Sequence, residues 1–230
     1  MTPRGVQGLA FAVISPIEDK ILGLYQQLTL MIESLVLTNS SPGIIAAAIR
    51  QEIKKIESES TNDLSLSLPI VYNTAFHWTI VSEQVKAGIV IQNHVYNENW
   101  CQDGKTFRER ILVNNENMLN SISSLLMVEQ KDNKVLLGLL EQEIEKGKNS
   151  WLRLVRTEAE AAYSQGVKDA LIALGYLYAV VDNPDPCDRI CAYEVGERLV
   201  TLAEARIGLD LPPYHPNCKC VFRGIWYRPR

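Results

Sequence analysis

Apolar residues recur every three or four positions over most of residues 16–174, and this spacing stops at Gly175. A repeat of about 3.6 residues places such side chains on one face of an α-helix, so the chain is expected to fold mainly as helices. After Gly175 come two short aromatic and β-branched segments, residues 176–181 and 220–227, which are typical of β-strands. The predicted fold class is mainly α, an elongated helical body with a small C-terminal α+β cap.

Interruptions of the spacing predict where the first helices begin and end. A helix is predicted to begin at Ser15, which can act as its cap, with Pro16 in the first turn. Residues 39–43 contain a proline and a glycine and predict a break before the next helix. Residues 57–68 are rich in Ser, Glu, Asn and Asp, and are predicted to form a loop or linker. A long helix is expected over residues 70–95.

The same reasoning predicts the later elements and the domains. Thr106, Asp132 and Ser150 are expected to start three further helices, with Gly147 ending the second of them and Gly175 the third. The chain is accordingly divided into consecutive segments. They are residues 1–65, an N-terminal helical segment, 66–150, a central helical body, and 151–230, the C-terminal α+β cap.

The compartment in which the chain folds decides how its five cysteines are interpreted. No apolar run approaches the roughly 20 residues that a bilayer span needs, so no membrane association is expected. The apolar residues 8–14 are followed at once by Pro16, Glu18 and Asp19, and no signal peptide is expected. In a reducing cytoplasm, cysteines indicate a metal site or buried thiols before they indicate disulfides.

Four cysteines and one histidine near the C-terminus form two short motifs, Cys187-x3-Cys191 and His215-x2-Cys218-x-Cys220. Thiolate and imidazole are the ligands of tetrahedral zinc, which takes only four of these five side chains. Three interpretations stay open. The cluster is a structural zinc site in a cap with little core of its own, a group of buried reduced thiols, or a disulfide formed after release into an oxidising medium. Pairing of the two predicted strands would bring both motifs together.

Other polar residues point to chemistry less strongly. His77 is expected to be a packed histidine, His94 to lie near a helix end, and Cys101 has no partner nearby in sequence. Glu160 is expected in surface ion pairs on its helix, whereas Glu158 is either exposed or buried and paired. A Gly-rich phosphate loop and a Ser/His/Asp set are both missing from the sequence, and no enzyme is expected. The net charge of -4 does not favour a general nucleic-acid binder.

The C-terminal third carries several motifs in a fixed order. They are Trp151, Arg156-Thr157-Glu158, Ala162-Tyr163 and Gly166, then a predicted strand, then Asp185, Cys187 and Cys191, then Pro212-Pro213-Tyr214-His215-Pro216-Asn217-Cys218-Lys219-Cys220. This order resembles the Mu F-like phage head-morphogenesis, or minor capsid, protein family. The resemblance reaches back to Phe107-Arg108-Glu109-Arg110-Ile111 and covers roughly residues 105–225. One departure is that three residues separate the first two cysteines of the motif, where the family often has two.

The resemblance implies a low-copy virion protein that associates with the portal or the major capsid protein. Such a protein would aid genome packaging, retention or delivery, and would be found in the virion and, during assembly, in the host cytoplasm. Phage DNA and a second copy of the chain are further partners to expect. The aromatic and arginine residues at positions 223–230 can contact nucleic acid, although such residues more often pack against the core. Two other classes remain, a capsid decoration (cement) protein and an ADP-ribosyltransferase-like or nuclease-like enzyme.

Overall fold

A computed structural model describes residues 3–83, 96–101, 103–128, 132–182, 191 and 199–226 of the chain. Within these residues the protein is mostly helical, with a small antiparallel sheet near the Cys/His cluster, and the predicted fold class is confirmed in these respects. The elements are α1 (Pro3–Leu37), α2 (Pro42–Ser82), α3 (Phe107–Met127), α4 (Asn133–Ala173), β1 (Tyr178–Asp182), β2 (Leu199–Thr201) and β3 (Val221–Ile225). In this part of the chain, no helix combines the length and the apolar character that crossing a membrane requires.

The turn between α1 and α2 is determined by local residues. Asn39 adopts a left-handed backbone with φ of 52°. The amides of Asn39 and Ser40 donate to the carbonyls of Val36 and Leu35 at 3.1 and 3.0 Å, the paired hydrogen bonds that commonly close a helix. Helix α2 then starts at Pro42, where the missing amide proton removes no helical hydrogen bond. The predicted break is confirmed.

Helix α1 does not begin at Ser15. It already contains Pro3, and Pro16 lies inside it. A proline inside a helix removes one backbone hydrogen bond and crowds the preceding turn, which normally ends or bends the helix. Ile14 and Ile17 on either side are both buried, so the apolar face continues across the proline. Their burial offsets the local loss, and the predicted helix start is wrong.

Residues 57–68 do not form a linker, because α2 continues through them. Ser60, Leu64 and Leu68 are buried and lie four residues apart, which is the spacing of one helical face. The Ser, Glu, Asn and Asp residues between them cover the other faces. The predicted loop or linker is therefore wrong. The helix predicted over residues 70–95 is the end of α2 as far as Ser82, and residues 84–95 lie outside the described part of the chain.

Helix α4 is a single helix where two were predicted. Its start is as expected, since the carboxylate of Asp132 accepts a hydrogen bond from the Lys134 amide at 2.8 Å. Gly147 does not end it, and no helix starts at Ser150. A Cβ atom at Gly147 would lie 2.1 Å from the sulfur of Met118, so the glycine allows close packing of this side chain. The helix ends before Gly175, whose φ of 85° suits only glycine well, as predicted.

Clustering of contacts divides the chain into two compact units, and each unit combines separate stretches of sequence. Unit 1 consists of Met1–Ser15, Ser65–Thr106 and Val155–Arg230. Unit 2 consists of Pro16–Leu64 and Phe107–Leu154. This division is interleaved along the chain, whereas the domains predicted from the sequence are three consecutive segments.

Unit 2 has a helical core that contains a pair of linked side-chain hydrogen bonds. The indole nitrogen of Trp151 donates to Asn115 Oδ1 at 2.8 Å, and Asn115 Nδ2 donates to Glu57 Oε2 at 3.0 Å. Since buried polar groups are costly without partners, these bonds allow Asn115 to lie among apolar side chains. The fully buried apolar residues of this unit include Ile21, Leu28, Ile32, Ile49, Ile53, Ile56 and Phe107.

Unit 1 contains the sheet, in which β1 is the central strand. Strand β1 pairs antiparallel with β3, from Tyr178 opposite Ile225 to Asp182 opposite Val221. It also pairs antiparallel with the short β2, which the sequence did not predict. Both predicted strands are therefore confirmed. Because Cys220 immediately precedes β3, this pairing determines where the His215–Cys220 motif lies in unit 1.

Candidate metal centre

The loop between β2 and β3 carries three of the predicted ligands in a tight turn. The amide of Cys218 donates to the carbonyl of His215 at 3.2 Å, and Asn217 between them has φ of 62°. Asparagine tolerates this left-handed conformation better than other residues with a side chain. The turn holds the imidazole of His215 close to the sulfur of Cys218.

Cys191 lies at the centre of the cluster. Its Sγ atom is 2.9 Å from His215 Nε2, 3.8 Å from Cys218 Sγ and 3.3 Å from Cys220 Sγ. The ligand atoms of Cys191, His215 and Cys218 all lie within 4.8 Å of one another, and these three side chains can hold a metal ion. Two sulfurs that share a tetrahedral zinc at about 2.3 Å are roughly 3.8 Å apart, which is the Cys191–Cys218 separation.

The structure brings four of the five predicted site residues together. Cys191, His215, Cys218 and Cys220 converge from separate parts of unit 1. Cys187 lies outside the described residues, so its predicted convergence with the others stays a prediction. The assignment of the five residues as metal ligands is likewise still a prediction.

A backbone hydrogen bond orients the imidazole of His215. Its Nδ1 atom lies 2.9 Å from the carbonyl oxygen of Pro216. Because a carbonyl can only accept, Nδ1 carries the proton in this contact, and in the neutral imidazole Nε2 keeps its lone pair. That lone pair is on the nitrogen next to Cys191 Sγ. Metal-binding histidines commonly have their second nitrogen fixed by such a carbonyl.

The surroundings of Cys218 favour its thiolate. Hydrogen bonding with the Cys220 side chain lowers the pKa of Cys218 to about 5, with smaller contributions from the backbones of Tyr214 and Cys220 and from the Cys191 side chain. Burial acts in the opposite direction and raises this pKa. The thiolate is the form that binds metals, so the unit stabilises the ligand in its binding state.

The Cys191–His215 contact also resembles the nucleophile and base of a thiol enzyme. Such a nucleophile must meet its substrate, yet Cys191 is 0% exposed, and Cys218 and Cys220 beside it are also buried. The geometry therefore suits a metal ligand better than the nucleophile of an enzyme, which needs room for a substrate beside its sulfur.

The remaining cysteine and histidine predictions have mixed outcomes. None of the described cysteines, Cys101, Cys191, Cys218 and Cys220, is in a disulfide. Cys101 is half-buried in unit 1, at the edge of a polar cleft. His77 is exposed on α2 with its ring edge-on to Phe76, so its predicted packing is wrong, and His94 lies outside the described residues.

A buried carboxylate near the cleft was left undecided by the sequence. Glu158 is 0% exposed, and its Oε2 accepts hydrogen bonds from Trp100 Nε1 at 2.8 Å and Tyr96 Oη at 3.2 Å. Glu160 is also buried, so its predicted role in surface pairs is wrong. The sequence signal for the burial of both residues is the small alanines around them, because alanines let neighbouring segments approach a helix closely. The cleft has a volume of about 640 Å³ and includes Asn97, Trp100, Gln165, Lys168 and Arg206 in its lining.

Comparisons with models of protein families, with curated proteins and with solved structures found no match to this chain. Two kinds of observation therefore bear on the function of the protein. One is the order of the sequence motifs in the C-terminal third. The other is the geometry of the cluster around Cys191.

Proposed function

We propose that the cluster around Cys191 binds zinc and that this zinc stabilises the C-terminal α+β part of unit 1. The observation that carries the proposal is the contact set of Cys191, one sulfur surrounded by an oriented imidazole nitrogen and two further sulfurs. Nitrogen and sulfur ligands without carboxylates are typical of structural zinc. Burial of the three cysteines also fits a structural site, because a catalytic zinc needs an open position.

The fourth ligand comes from one of two cysteines. Cys220 is a candidate because its sulfur lies 3.3 Å from Cys191 Sγ. Cys187 is the other, since it precedes Cys191 by four residues and belongs to the same motif. Either choice completes a tetrahedral site of three sulfurs and one nitrogen.

Alkylation can identify the ligands one cysteine at a time, because trypsin separates all five. Cleavage after Lys and Arg places Cys101, Cys187, Cys191, Cys218 and Cys220 on the peptides 87–105, 169–189, 190–198, 207–219 and 220–223. We expect zinc to slow alkylation of Cys191, Cys218 and one of the two fourth-ligand candidates. Cys101 should react at the same rate with and without zinc. The site would be ruled out if every cysteine were alkylated at the same rate with zinc as without it.

Substitution tests the structural role. Cys191→Ser and His215→Ala should abolish zinc binding, measured as metal content after gel filtration. The loss of stability should be several kcal/mol, less than the roughly 10–16 kcal/mol of isolated zinc peptides, because unit 1 also has a core of its own. Cys101→Ser is the matched control, with zinc content and thermal unfolding unchanged. A Cys191→Ser chain that keeps one zinc would contradict the proposal.

We further propose that the protein is a minor capsid or head-morphogenesis protein of a tailed phage, associating with the portal or major capsid protein. The support is the order of motifs that resembles the Mu F-like family, an argument from analogy. The motif segments around Glu158, Cys191 and Cys218 all belong to unit 1, although they are far apart in sequence. The other motif residues, Trp151 and Phe107-Arg108-Glu109-Arg110-Ile111, belong to unit 2. The same proposal includes a non-enzymatic role, since the sulfur of Cys191 is buried and leaves no room for a substrate.

The test is the composition of purified virions and procapsids. We expect the protein in both, at a copy number close to that of the portal, and crosslinked to portal or capsid subunits. A copy number close to that of the major capsid protein would favour the decoration class instead. Absence from both particles would refute the proposal. Complementation of a gene deletion with His215→Ala, compared with Cys101→Ser, would show whether head formation depends on the metal site.

A further inference from the structure

The sulfur of Cys191 has two neighbouring sulfurs at unequal distances. Cys220 Sγ lies at 3.3 Å with its thiol donating to Cys191, and Cys218 Sγ lies at 3.8 Å. Cys191 also contacts His215 Nε2 and belongs to the set of three that can hold a metal ion. A metal ion and a disulfide would therefore compete for the same sulfur.

We propose that Cys191 and Cys220 form a disulfide on oxidation by a peroxide and that this bond releases the metal ion. The inference rests on the proposed zinc site and describes its regulation. A disulfide needs a separation of about 2.05 Å, so the two sulfurs must approach by a little more than 1 Å. Cys220 is closer to this distance than Cys218, and the turn between Asn217 and β3 provides the short segment that has to move.

The chemistry balances with hydrogen peroxide as the oxidant. His215 Nε2 accepts the Cys191 proton and the sulfur attacks one peroxide oxygen. The O–O bond breaks and a sulfenic acid forms, while the departing hydroxide takes the proton from Nε2 and becomes water. The Cys220 sulfur then attacks the Cys191 sulfur, an S–S bond forms and the S–O bond breaks. The departing hydroxide takes the Cys220 proton and becomes water. Both sulfurs are oxidised, the peroxide oxygens are reduced, and Cys191 no longer offers a thiolate to a metal ion.

Such a device would separate two states of the same chain. In a reducing cytoplasm the thiols and the metal ion would stabilise unit 1 during assembly. After release into an oxidising medium, the covalent bond would replace the metal ion as the link between Cys191 and the segment before β3. Unlike a bound metal ion, a disulfide cannot be removed by dilution, so it would stabilise unit 1 without a ligand.

The experiment uses the full chain with Cys101→Ser, purified under reducing conditions with zinc and then freed of reductant. It is treated with rising peroxide, the remaining thiols are alkylated, and the protein is digested with trypsin without reduction. We expect peptide 190–198 linked to peptide 220–223, and one zinc released for each link formed, measured with a chromogenic chelator. Reduction and added zinc should restore the starting state.

Three outcomes would overturn the inference. They are a link from peptide 190–198 to 207–219 or to 169–189, zinc retained in linked protein, and zinc released with no link. Adding Cys220→Ser should abolish the link and leave a sulfenic acid on peptide 190–198 that dimedone traps. Should that variant not fold, the linked peptides of the Cys101→Ser chain still decide the pairing. A protein that never binds zinc would refute the zinc proposal, and the pairing of Cys191 with Cys220 would then be judged from the links alone.

Discussion

Replacing Gly166 by alanine should destabilise unit 1, because α4 passes close to the backbone of α2 at this glycine. A Cβ atom at Gly166 would lie 2.3 Å from the carbonyl oxygen of Tyr72, 3.0 Å from Ala75 Cβ and 3.1 Å from the amide nitrogen of Phe76. Two of these three atoms belong to the backbone. No side-chain rotation can relieve the overlap, so the two helical segments would have to separate.

Two opposing effects determine the size of the change. Alanine is favoured over glycine inside a helix by about 1 kcal/mol. Overpacking a well-packed site costs typically about 1–3 kcal/mol, and overlap with backbone atoms places Gly166→Ala at the upper end. The net loss is about 2 kcal/mol. For a chain of this size it corresponds to a Tm lower by roughly 4–8 °C.

Two other glycines of α4 serve as matched controls. Gly138 has no atom within 4 Å of its would-be Cβ, so Gly138→Ala should show only the helix preference, a gain of up to about 1 kcal/mol. Gly147 would meet only the flexible side chain of Met118. Gly147→Ala should therefore fall between the other two substitutions.

The assay is urea denaturation followed by far-UV circular dichroism, with thermal unfolding alongside. The order of stability should be Gly138→Ala above Gly147→Ala above Gly166→Ala, with Gly166→Ala below the wild type. A Gly166→Ala chain as stable as the wild type would refute the packing argument. An equal loss of stability in Gly138→Ala would also refute it, because alanine at any glycine of α4 would then have the same effect.

Three further predictions concern single side chains. Burial raises the pKa of Tyr163 from 10 to about 12, so this tyrosine ionises first in the unfolded chain. The free energy of unfolding should therefore fall as the pH rises from 10 to 12. Denaturation curves should show a smaller fall over this range for Tyr163→Phe. Trp151→Phe removes the donor to Asn115 Oδ1 and should cost about 1–3 kcal/mol for the unsatisfied acceptor, whereas an unchanged urea midpoint would show that the bond contributes nothing. Asn217→Gly should leave the stability of unit 1 unchanged, because glycine adopts the left-handed backbone of this position easily. Asn217→Ala should lower that stability by about 1 kcal/mol, because alanine does not. Equal thermal unfolding of the two variants would contradict this.

The helices were predictable wherever neighbouring residues decide the structure. Asn39, Asp132 and Gly175 act within a few residues of their own positions, through a left-handed turn or a cap, and each marks the boundary expected of it. The predictions failed where distant packing overrides a local signal. Pro16, residues 57–68 and Gly147 all lie inside continuous helices, because buried faces on either side stabilise the helix across them.

The metal cluster was likewise predictable only in part. Its residue types and the His215-x2-Cys218-x-Cys220 spacing were readable in sequence, since thiolates and imidazoles are zinc ligands wherever they occur. That Cys191 is the shared centre, with Cys220 nearer to it than Cys218, is decided by the fold, which places Cys191 against the segment before β3. The burial of Glu158 likewise depends on Tyr96 and Trp100, about sixty residues earlier in the chain. Local chemistry can be inferred from neighbouring residues, but which groups meet depends on chain segments whose contacts only the folded structure determines.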